Sequence, residues 1–431
     1  PLDVAVPQVV APDIERALAL AASTVWSHPT WHLDVIGITG TNGKTTCAWL
    51  LAQALARQGC ESRYLGTLGS GRAGGLTAGT HTTPDAVALQ RLLGAWRDAG
   101  VSHVAMEVSS HALDQDRCAG VRFHTAVFTN LSRDHLDYHR DMQAYGAAKA
   151  RLFEWPTLSA RVINVDDAFG VELAGRARPG ARLILTTRRA AAATAELAAL
   201  PAALVLRALD VAIRPEGMLI TLQADGRRAQ LASRLLGDFN VDNLLGVLGV
   251  LLALDMSLEE ACAALAPCTA PPGRMQALGG GASPLVIIDY AHTPDALEKA
   301  LRAARAHCVG RLWCVFGCGG DRDAGKRAAM GGIAAALADE LIVTDDNPRG
   351  EEPAAIVAAI LAGIGRRERV RIEHDRAAAI GGAVATASAG DVVLVAGKGH
   401  EKTQHIGDRV LAFDDADVSR AALARRHARV V

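Results

Sequence analysis

The sequence predicts an α/β fold in two successive domains, the first with a mostly parallel sheet plus a small antiparallel sheet, the second doubly wound. Three observations carry this. Short β-rich runs alternate with helical segments between Asp34 and Val165 and again between Leu285 and Val395, the rhythm of parallel strands joined by right-handed crossovers. The first strand runs into a glycine-rich turn, Gly40-Thr41-Asn42-Gly43-Lys44-Thr45-Thr46, that opens a helix. Between the two rhythms, Leu206–Leu236 alternates apolar and polar residues around Pro215-Glu216-Gly217 and Ala224-Asp225-Gly226, the mark of an antiparallel meander.

In chain order, a short helix (Asp13–Ala22) and a connector fill residues 1–33. Strands follow at Val35–Thr39, His103–Ser109, Thr125–Thr129 and Arg161–Val165, with helices at Asn42–Arg57, Pro84–Ala99 and Met142–Phe153. Alanine-rich Arg188–Ala199 reads as helical. After the meander comes an apolar helix, Val241–Leu254, then Ser257–Leu265, opened by Ser257 with Glu260 three residues on, a capping box. Ala270-Pro271-Pro272-Gly273 reads as a linker. Strands Leu285–Tyr290, Leu312–Phe316, Glu340–Thr344 and Asp391–Val395 then build the second domain, giving expected bounds of 1–33, 34–270 and 271–431.

Composition narrows the function. The 431 residues suit about three domains. Lys+Arg 45 against Asp+Glu 46 leaves a net charge of −1, so no general nucleic-acid or membrane-surface footprint exists. Eight cysteines without a C-x-x-C pair fit a reducing compartment, and no apolar run reaches the roughly 18 residues of a membrane span. A cytoplasmic monomer acting on small molecules is expected. Only six of the basic residues are lysines (Lys44, Lys149, Lys299, Lys326, Lys398, Lys402). In an arginine-dominated chain, each is a place to ask what arginine could not do.

In the glycine-rich turn, backbone N–H groups and the helix N-terminus can surround an anion. Lys44 would reach the β/γ-phosphates and the Thr45 hydroxyl a Mg²⁺ ion. The spacing departs from the usual phosphate loop, since Ile38 stands where its first glycine should. Glu107 ends a buried strand at its carboxyl end, where α/β sheets bind ligands, though a capping glutamate would look the same. Asp134-His135-Leu136-Asp137-Tyr138-His139 could be a solvated loop or a set of cation ligands and acid–base groups. Thr82-Thr83-Pro84, after His81, could cap a helix or bind an anion, and Arg117 could fork onto a phosphate or carboxylate.

Gly40–Thr46 resembles the loop of the Mur ligases and of their relative folylpolyglutamate synthase; Thr45-Thr46, where the latter usually has Gly-Ser, favours the Mur side. The runs Met106–His111 and Thr129–His139 resemble the diaminopimelate-adding branch of that family. The resemblance covers roughly residues 34–431 and implies a P-loop-type central domain, a Rossmann-like C-terminal domain, and in residues 1–33 the tail of a UDP-binding domain. It implies ATP as co-substrate and two Mg²⁺ sites, one on Thr45 and Glu107, the other involving His135 and Lys149. Lys149 would carry a CO₂-derived carbamate, an anionic ligand that arginine, always protonated, cannot become.

By the same resemblance His81, Thr82, Thr83, Ser109, Gln115 and Arg117 contact UDP-N-acetylmuramoyl-L-alanyl-D-glutamate. Asn243, in Gly237-Asp238-Phe239-Asn240-Val241-Asp242-Asn243, lies near the nucleotide base. Arg274 and Asp289, the latter opening Asp289-Tyr290-Ala291-His292-Thr293-Pro294-Asp295, join the ATP site. Arg322, Asp346, Asn347, Pro348, Arg349, Gly397 and Glu401 read diaminopimelate. Arg349 pairs with its distal carboxylate, Glu401 takes its distal ammonium and Gly397 offers a carbonyl. The implied reaction is ATP-dependent peptide-bond formation through an acyl phosphate, a step of peptidoglycan precursor synthesis, with the linker at Pro271–Arg274 as hinge. The rivals are a lysine-adding ligase, which lacks the arginine at Arg349, and an inactive nucleotide-binding homologue.

Overall fold

The computed structural model describes residues 10–430 apart from 178, 191–203 and 366–369; most of the helix expected at Arg188–Ala199 lies outside the described residues. The chain divides into two compact units, one of residues 1–210, 220–231 and 241–268, the other of 211–219, 232–240 and 269–431.

The first sheet has strands β1 (Asp34–Thr39), β2 (Ser62–Gly66), β3 (Gly69–Arg72), β4 (Gly75–Thr77), β5 (His103–Glu107), β6 (Phe123–Phe128), β7 (Ala160–Asn164), β8 (Arg182–Thr187), β9 (Leu204–Arg214), β10 (Gly217–Ala224) and β11 (Arg227–Ser233). Their order is β11-β10-β9-β8-β7-β6-β1-β5-β2-β3-β4. β1 lies in the middle and is buried over nearly its whole length, as its continuous apolar run requires. It pairs in parallel with β5 and β6, and the register Ile38↔Glu107 and Thr39↔Phe128 gathers three strand ends beside the glycine-rich turn. The meander is present, but it continues the parallel sheet, because β9 pairs in parallel with β8. The β10–β11 turn has both central residues at positive φ (Asp225 47°, Gly226 74°), the backbone that matches strand twist in a two-residue hairpin.

Helix Lys44–Arg57 follows the turn and buries Cys47–Ala52, Ala54 and Leu55. Helix Met142–Ala150 ends earlier than its apolar pattern suggests and tightens into a 3₁₀ turn, Arg151–Glu154. The capping box at Ser257 is formed, with Glu260 N donating to Ser257 Oγ at 3.2 Å and Ser257 N to Glu260 Oε2 at 2.9 Å.

The second unit contains β12 (Gln276–Gly279), β13 (Leu285–Asp289), β14 (Leu312–Phe316), β15 (Glu340–Val343), β16 (Val370–Ile372) and β17 (Val392–Ala396), ordered β12-β13-β17-β14-β15-β16. All but β12 are parallel. Alternate residues face two cores. Leu285, Ile287, Cys314 and Leu394 join one cluster, and Val286, Ile288, Trp313 and Val393 the other, so the sheet is covered on both faces. β17 enters between β13 and β14, which makes a switch point where loops diverge above the strand ends. The register Asp289↔Ala396 and Phe316↔Val343 brings Asp289, Gly397, Gly317 and Asp346 to that rim. A two-stranded antiparallel sheet, β18 (Thr403–Ile406) and β19 (Arg409–Ala412), follows.

Candidate active site

The glycine-rich turn is built to close tolerances. A Cβ on Gly40 would stand 1.9 Å from Thr129 Oγ1, and one on Gly43, at φ 87°, 2.2 Å from Asn243 Oδ1. Only glycine fits either place. The end of β6 anchors the loop from outside. Thr129 Oγ1 donates to Asn42 O (2.6 Å), Asn42 N donates to Asn130 Oδ1 (2.9 Å), and Thr41 N donates to Asn130 O (2.8 Å). Lys44 lies back over the loop, its Nζ donating to Gly40 O at 2.9 Å and Thr41 O at 2.8 Å. Asn243 is buried beneath the loop, a bracing position set by its contact with Gly43. Thr46 is half-buried on the first helical turn.

Glu107 is fully buried. Oε1 accepts from Tyr64 OH (2.5 Å) and Thr67 N (2.9 Å), while Oε2 accepts from Thr45 Oγ1 (2.9 Å) and Thr67 Oγ1 (3.2 Å). A carboxylate and a hydroxyl at the mouth of an anion-binding loop are hard oxygen donors that fit Mg²⁺, which takes few protein ligands and shares the rest with phosphate and water. Among the described residues no group of three His, Cys, Asp or Glu side chains gathers to hold a metal, so the fit rests on this oxygen pair.

Lys149 is 1% exposed, donates to Gly40 O at 2.8 Å and lies 4.3 Å from the centre of the Tyr145 ring. Burial, reinforced by the Lys44 charge, lowers its amine to about 6, so it is largely neutral near pH 7. His135 is half-exposed at φ 52°, 3.5 Å from Asp134, 5.0 Å from His111 and 6.0 Å from Tyr145. Burial holds both His111 and His139 below the usual histidine range; around His111 the neighbouring His135 and His139 add to it, whereas Asp114 partly opposes it at His139.

The residues expected to read the sugar peptide form one chain beside Glu107. Thr82 Oγ1 meets Thr67 Oγ1 at 3.0 Å, Thr83 Oγ1 donates to Glu107 O at 2.8 Å, and Ser109 N donates to Thr83 Oγ1 at 3.1 Å. Arg117 donates to Thr83 O at 3.1 Å and also to Gln115, whose Nε2 donates to Tyr138 OH at 3.1 Å. His81 stands apart, exposed and bonded to Thr80. Tyr64 and Thr67 complete this region without any local motif, while Tyr138 sits inside the Thr129–His139 run, whose resemblance assigns it no role.

In the second unit, Asp289 accepts from Met275 N at 2.8 Å, and burial raises its carboxyl. Arg274 lies over the Tyr290 ring, 5.0 Å from its centre. Asn347 Nδ2 donates to Glu401 Oε2 (2.9 Å), and Lys398 Nζ donates to Asn347 Oδ1 (3.1 Å), Glu401 Oε2 (3.1 Å) and Thr403 O (2.7 Å). Arg349 Nη1 donates to Gly320 O at 2.8 Å. Asp346 is buried, which raises its carboxyl, and its Oδ2 would stand 2.6 Å from a Cβ on Gly397. Arg322 is exposed on the neighbouring loop. Pro348 is buried, its carbonyl against Gly320. Lys299 and Lys402, silent in sequence, form ion pairs with Asp295 (2.8 Å) and Asp414.

Family models match over most of the chain: the Mur ligase middle domain on residues 38–251 and the Mur ligase, glutamate ligase domain on residues 273–399. A UDP-N-acetylmuramoyl-L-alanyl-D-glutamate–2,6-diaminopimelate ligase of Ectopseudomonas mendocina is 51% identical over 94% of this chain and 81% of its own length. One of Pseudomonas aeruginosa is 49% identical over 97% and 83%. A solved structure of a ligase of that name superposes with a TM-score of 0.78 at 35% identity, covering 99% of this chain and 86% of that one. A Mycobacterium tuberculosis folylpolyglutamate synthase, at 19% identity and a TM-score of 0.64 over 89% of this chain and 92% of its own, shares the fold.

Proposed function

The chain belongs to the Mur ligase family, and on that premise we propose that it joins meso-2,6-diaminopimelate to UDP-N-acetylmuramoyl-L-alanyl-D-glutamate with ATP, in peptidoglycan precursor synthesis. One observation carries the substrate: Arg349 and Glu401 belong to a single hydrogen-bonded cluster joined through the Asn347-Pro348-Arg349 turn and Lys398. An arginine fork for a carboxylate and a carboxylate for an ammonium match the zwitterionic distal end of diaminopimelate, whereas lysine offers only the ammonium.

The loop N–H groups and Lys44 hold the ATP phosphates. The γ-phosphoryl passes to the substrate carboxylate oxygen, and ADP leaves. The amino group of diaminopimelate attacks the acyl carbon, and phosphate departs from a tetrahedral intermediate. Thr45 and Glu107 hold a Mg²⁺ ion, which when bound offsets charge on the phosphoryl oxygens. Tyr64 and Thr67 keep Glu107 turned toward Thr45. A second Mg²⁺ ion would be held by His135 and Lys149, for which the neutral Lys149 amine would add CO₂ and lose a proton to give a carbamate oxygen ligand. Thr82, Thr83, Ser109, Gln115 and Arg117 hold the sugar peptide, and Asn243, Arg274 and Asp289 serve the nucleotide. We place the reaction in the cytoplasm, where the eight free thiols stay reduced; among the described residues no helix is long and apolar enough to cross a membrane.

The test is phosphate release from ATP with the UDP-dipeptide and either meso-diaminopimelate or L-lysine. Turnover with diaminopimelate is expected. Turnover with lysine alone overturns the role given to Arg349, and none with either points to a non-catalytic homologue.

A further inference from the structure

The two loops that carry the amino-acid-reading residues are zipped together, and an ion pair outside every recognised motif closes the zipper. Gly320 N donates to Asn347 O (2.9 Å), and Arg349 Nη1 returns a bond to Gly320 O (2.8 Å). Gly350 N donates to Asp321 Oδ2 (3.0 Å), and Asp321 N donates to Glu351 Oε1 (2.6 Å). Glu351 then receives both arms of Arg327, Nη1 to Oε2 at 2.9 Å and Nη2 to Oε1 at 2.8 Å; Nη2 also reaches Gly319 O at 3.3 Å. The Arg327 side chain is 5% exposed and rises from the first turn of helix Lys326–Leu337. A buried fork on a helix is a fixed point, and both loops hang from it.

Arg349 needs that support. Its φ is 52°, a left-handed conformation that a side-chain-bearing residue keeps only where its surroundings over-determine it. Its backbone is held by His405 O (3.0 Å) and Gly407 N (2.7 Å). Its guanidinium rests on the Gly319–Asp321 backbone, with little slack: a Cβ on Gly319 would stand 2.9 Å from Arg349 Nη1, and one on Gly320 1.9 Å from Pro348 O. Where that backbone stands decides where the guanidinium points.

We propose that Arg327 and Glu351 are positioning residues for amino-acid specificity: they fix the Gly319–Asp321 backbone and, through it, the Arg349 guanidinium on the distal carboxylate of diaminopimelate. This rests on the role given to Arg349 above, and the test separates the two. Steady-state rates are measured for Glu351→Gln, Arg327→Lys, Arg349→Ala and the double variant Glu351→Gln/Arg349→Ala, varying diaminopimelate and, separately, ATP. Loss of a charge-assisted bond predicts a fall of roughly tenfold to a hundredfold in kcat/KM for diaminopimelate in each single variant, with KM for ATP unmoved. Arg327→Lys keeps the charge but not the fork, so it reports independently should Glu351→Gln fold poorly. In the Arg349→Ala background Glu351→Gln should cost nothing further, since the two act as one unit. A cost that persists undiminished there, or an equal rise in KM for ATP, overturns the proposal. An Arg349→Ala variant with unchanged kcat/KM for diaminopimelate overturns the reading of Arg349 itself.

Discussion

Lys149 and Lys44 donate to the same acceptor, the carbonyl oxygen of Gly40, at 2.8 and 2.9 Å. Two full positive charges on one carbonyl, one of them buried, are unfavourable, and the buried amine yields: burial first and Lys44 second lower Lys149 to about 6. A stability signature follows. In the unfolded chain the amine titrates near its ordinary value of about 10.4. Between about 6 and that value the unfolded state therefore binds the extra proton, and stability rises with pH, by at most about 1.4 kcal/mol per unit. Below about 6 both states are protonated and the slope vanishes. Urea unfolding of ligand-free protein in CO₂-depleted buffer should show this slope, and Lys149→Met should remove it. Identical slopes in the two proteins would mean that the amine stays charged.

Tyr64→Phe isolates the support of Glu107. The hydroxyl donates to Oε1 at 2.5 Å and accepts from Leu68 N at 3.2 Å, while Oε2 faces Thr45. Removing the hydroxyl leaves Oε1 with the Thr67 N–H as its one remaining donor among the described residues, so Glu107 is held less firmly. The Mg²⁺ concentration for half-maximal rate should rise by about tenfold, as for other groups that orient a metal ligand. An unchanged Mg²⁺ titration with a lowered Tm would reduce Tyr64 to a packing role.

Arg376 and Asp415 form a forked ion pair of two 2.7 Å bonds with both side chains 0% exposed, and Arg376 Nη2 also reaches Ala396 O at 3.1 Å, at the end of β17. Arg376→Met strands a buried carboxylate and should cost about 3–5 kcal/mol in chemical unfolding; Arg376→Met with Asp415→Leu should recover most of it. A double variant as unstable as the single one would place the loss in the Ala396 contact instead.

Long, regular apolar patterns made β1, β5 to β7, β13 to β15 and β17 legible from sequence, along with the loop that β1 feeds. β2 to β4 were not legible. Ser62–Thr77 carries five glycines and little strand propensity, and it is strand only because β2 finds β5 to pair with. The meander's turns could be read, but not its attachment, since the β8–β9 pairing is not a local property. In the site, motifs marked Lys44, Glu107, Lys149 and Arg349, whose proposed chemistry needs particular residue types at fixed spacing. Tyr64, Arg327 and Glu351 left no such trace. In sequence Arg327 and Glu351 are two charges among many, and only the crossover between β14 and β15 brings them to one fork.

Lys398 separates a point charge from a fork most sharply. It is fully buried between two glycines at positive φ (Gly397 116°, Gly399 55°), and its three acceptors match the three protons of an ammonium. Those bonds fix the Asn347 amide: Oδ1 faces Lys398 and also accepts from His405 N at 3.0 Å, so Nδ2 must face Glu401. Both bonds to Glu401 fall on Oε2, which leaves Oε1 for an incoming ammonium. Lys398→Met should let the amide turn and Glu401 swing, lowering kcat/KM for diaminopimelate by roughly tenfold to a hundredfold. Lys398→Arg should fail to restore it, because a planar guanidinium cannot serve three convergent acceptors. If the Lys398→Arg variant binds diaminopimelate as tightly as the parent in calorimetry, the ammonium geometry is not what the pocket requires, and charge alone suffices.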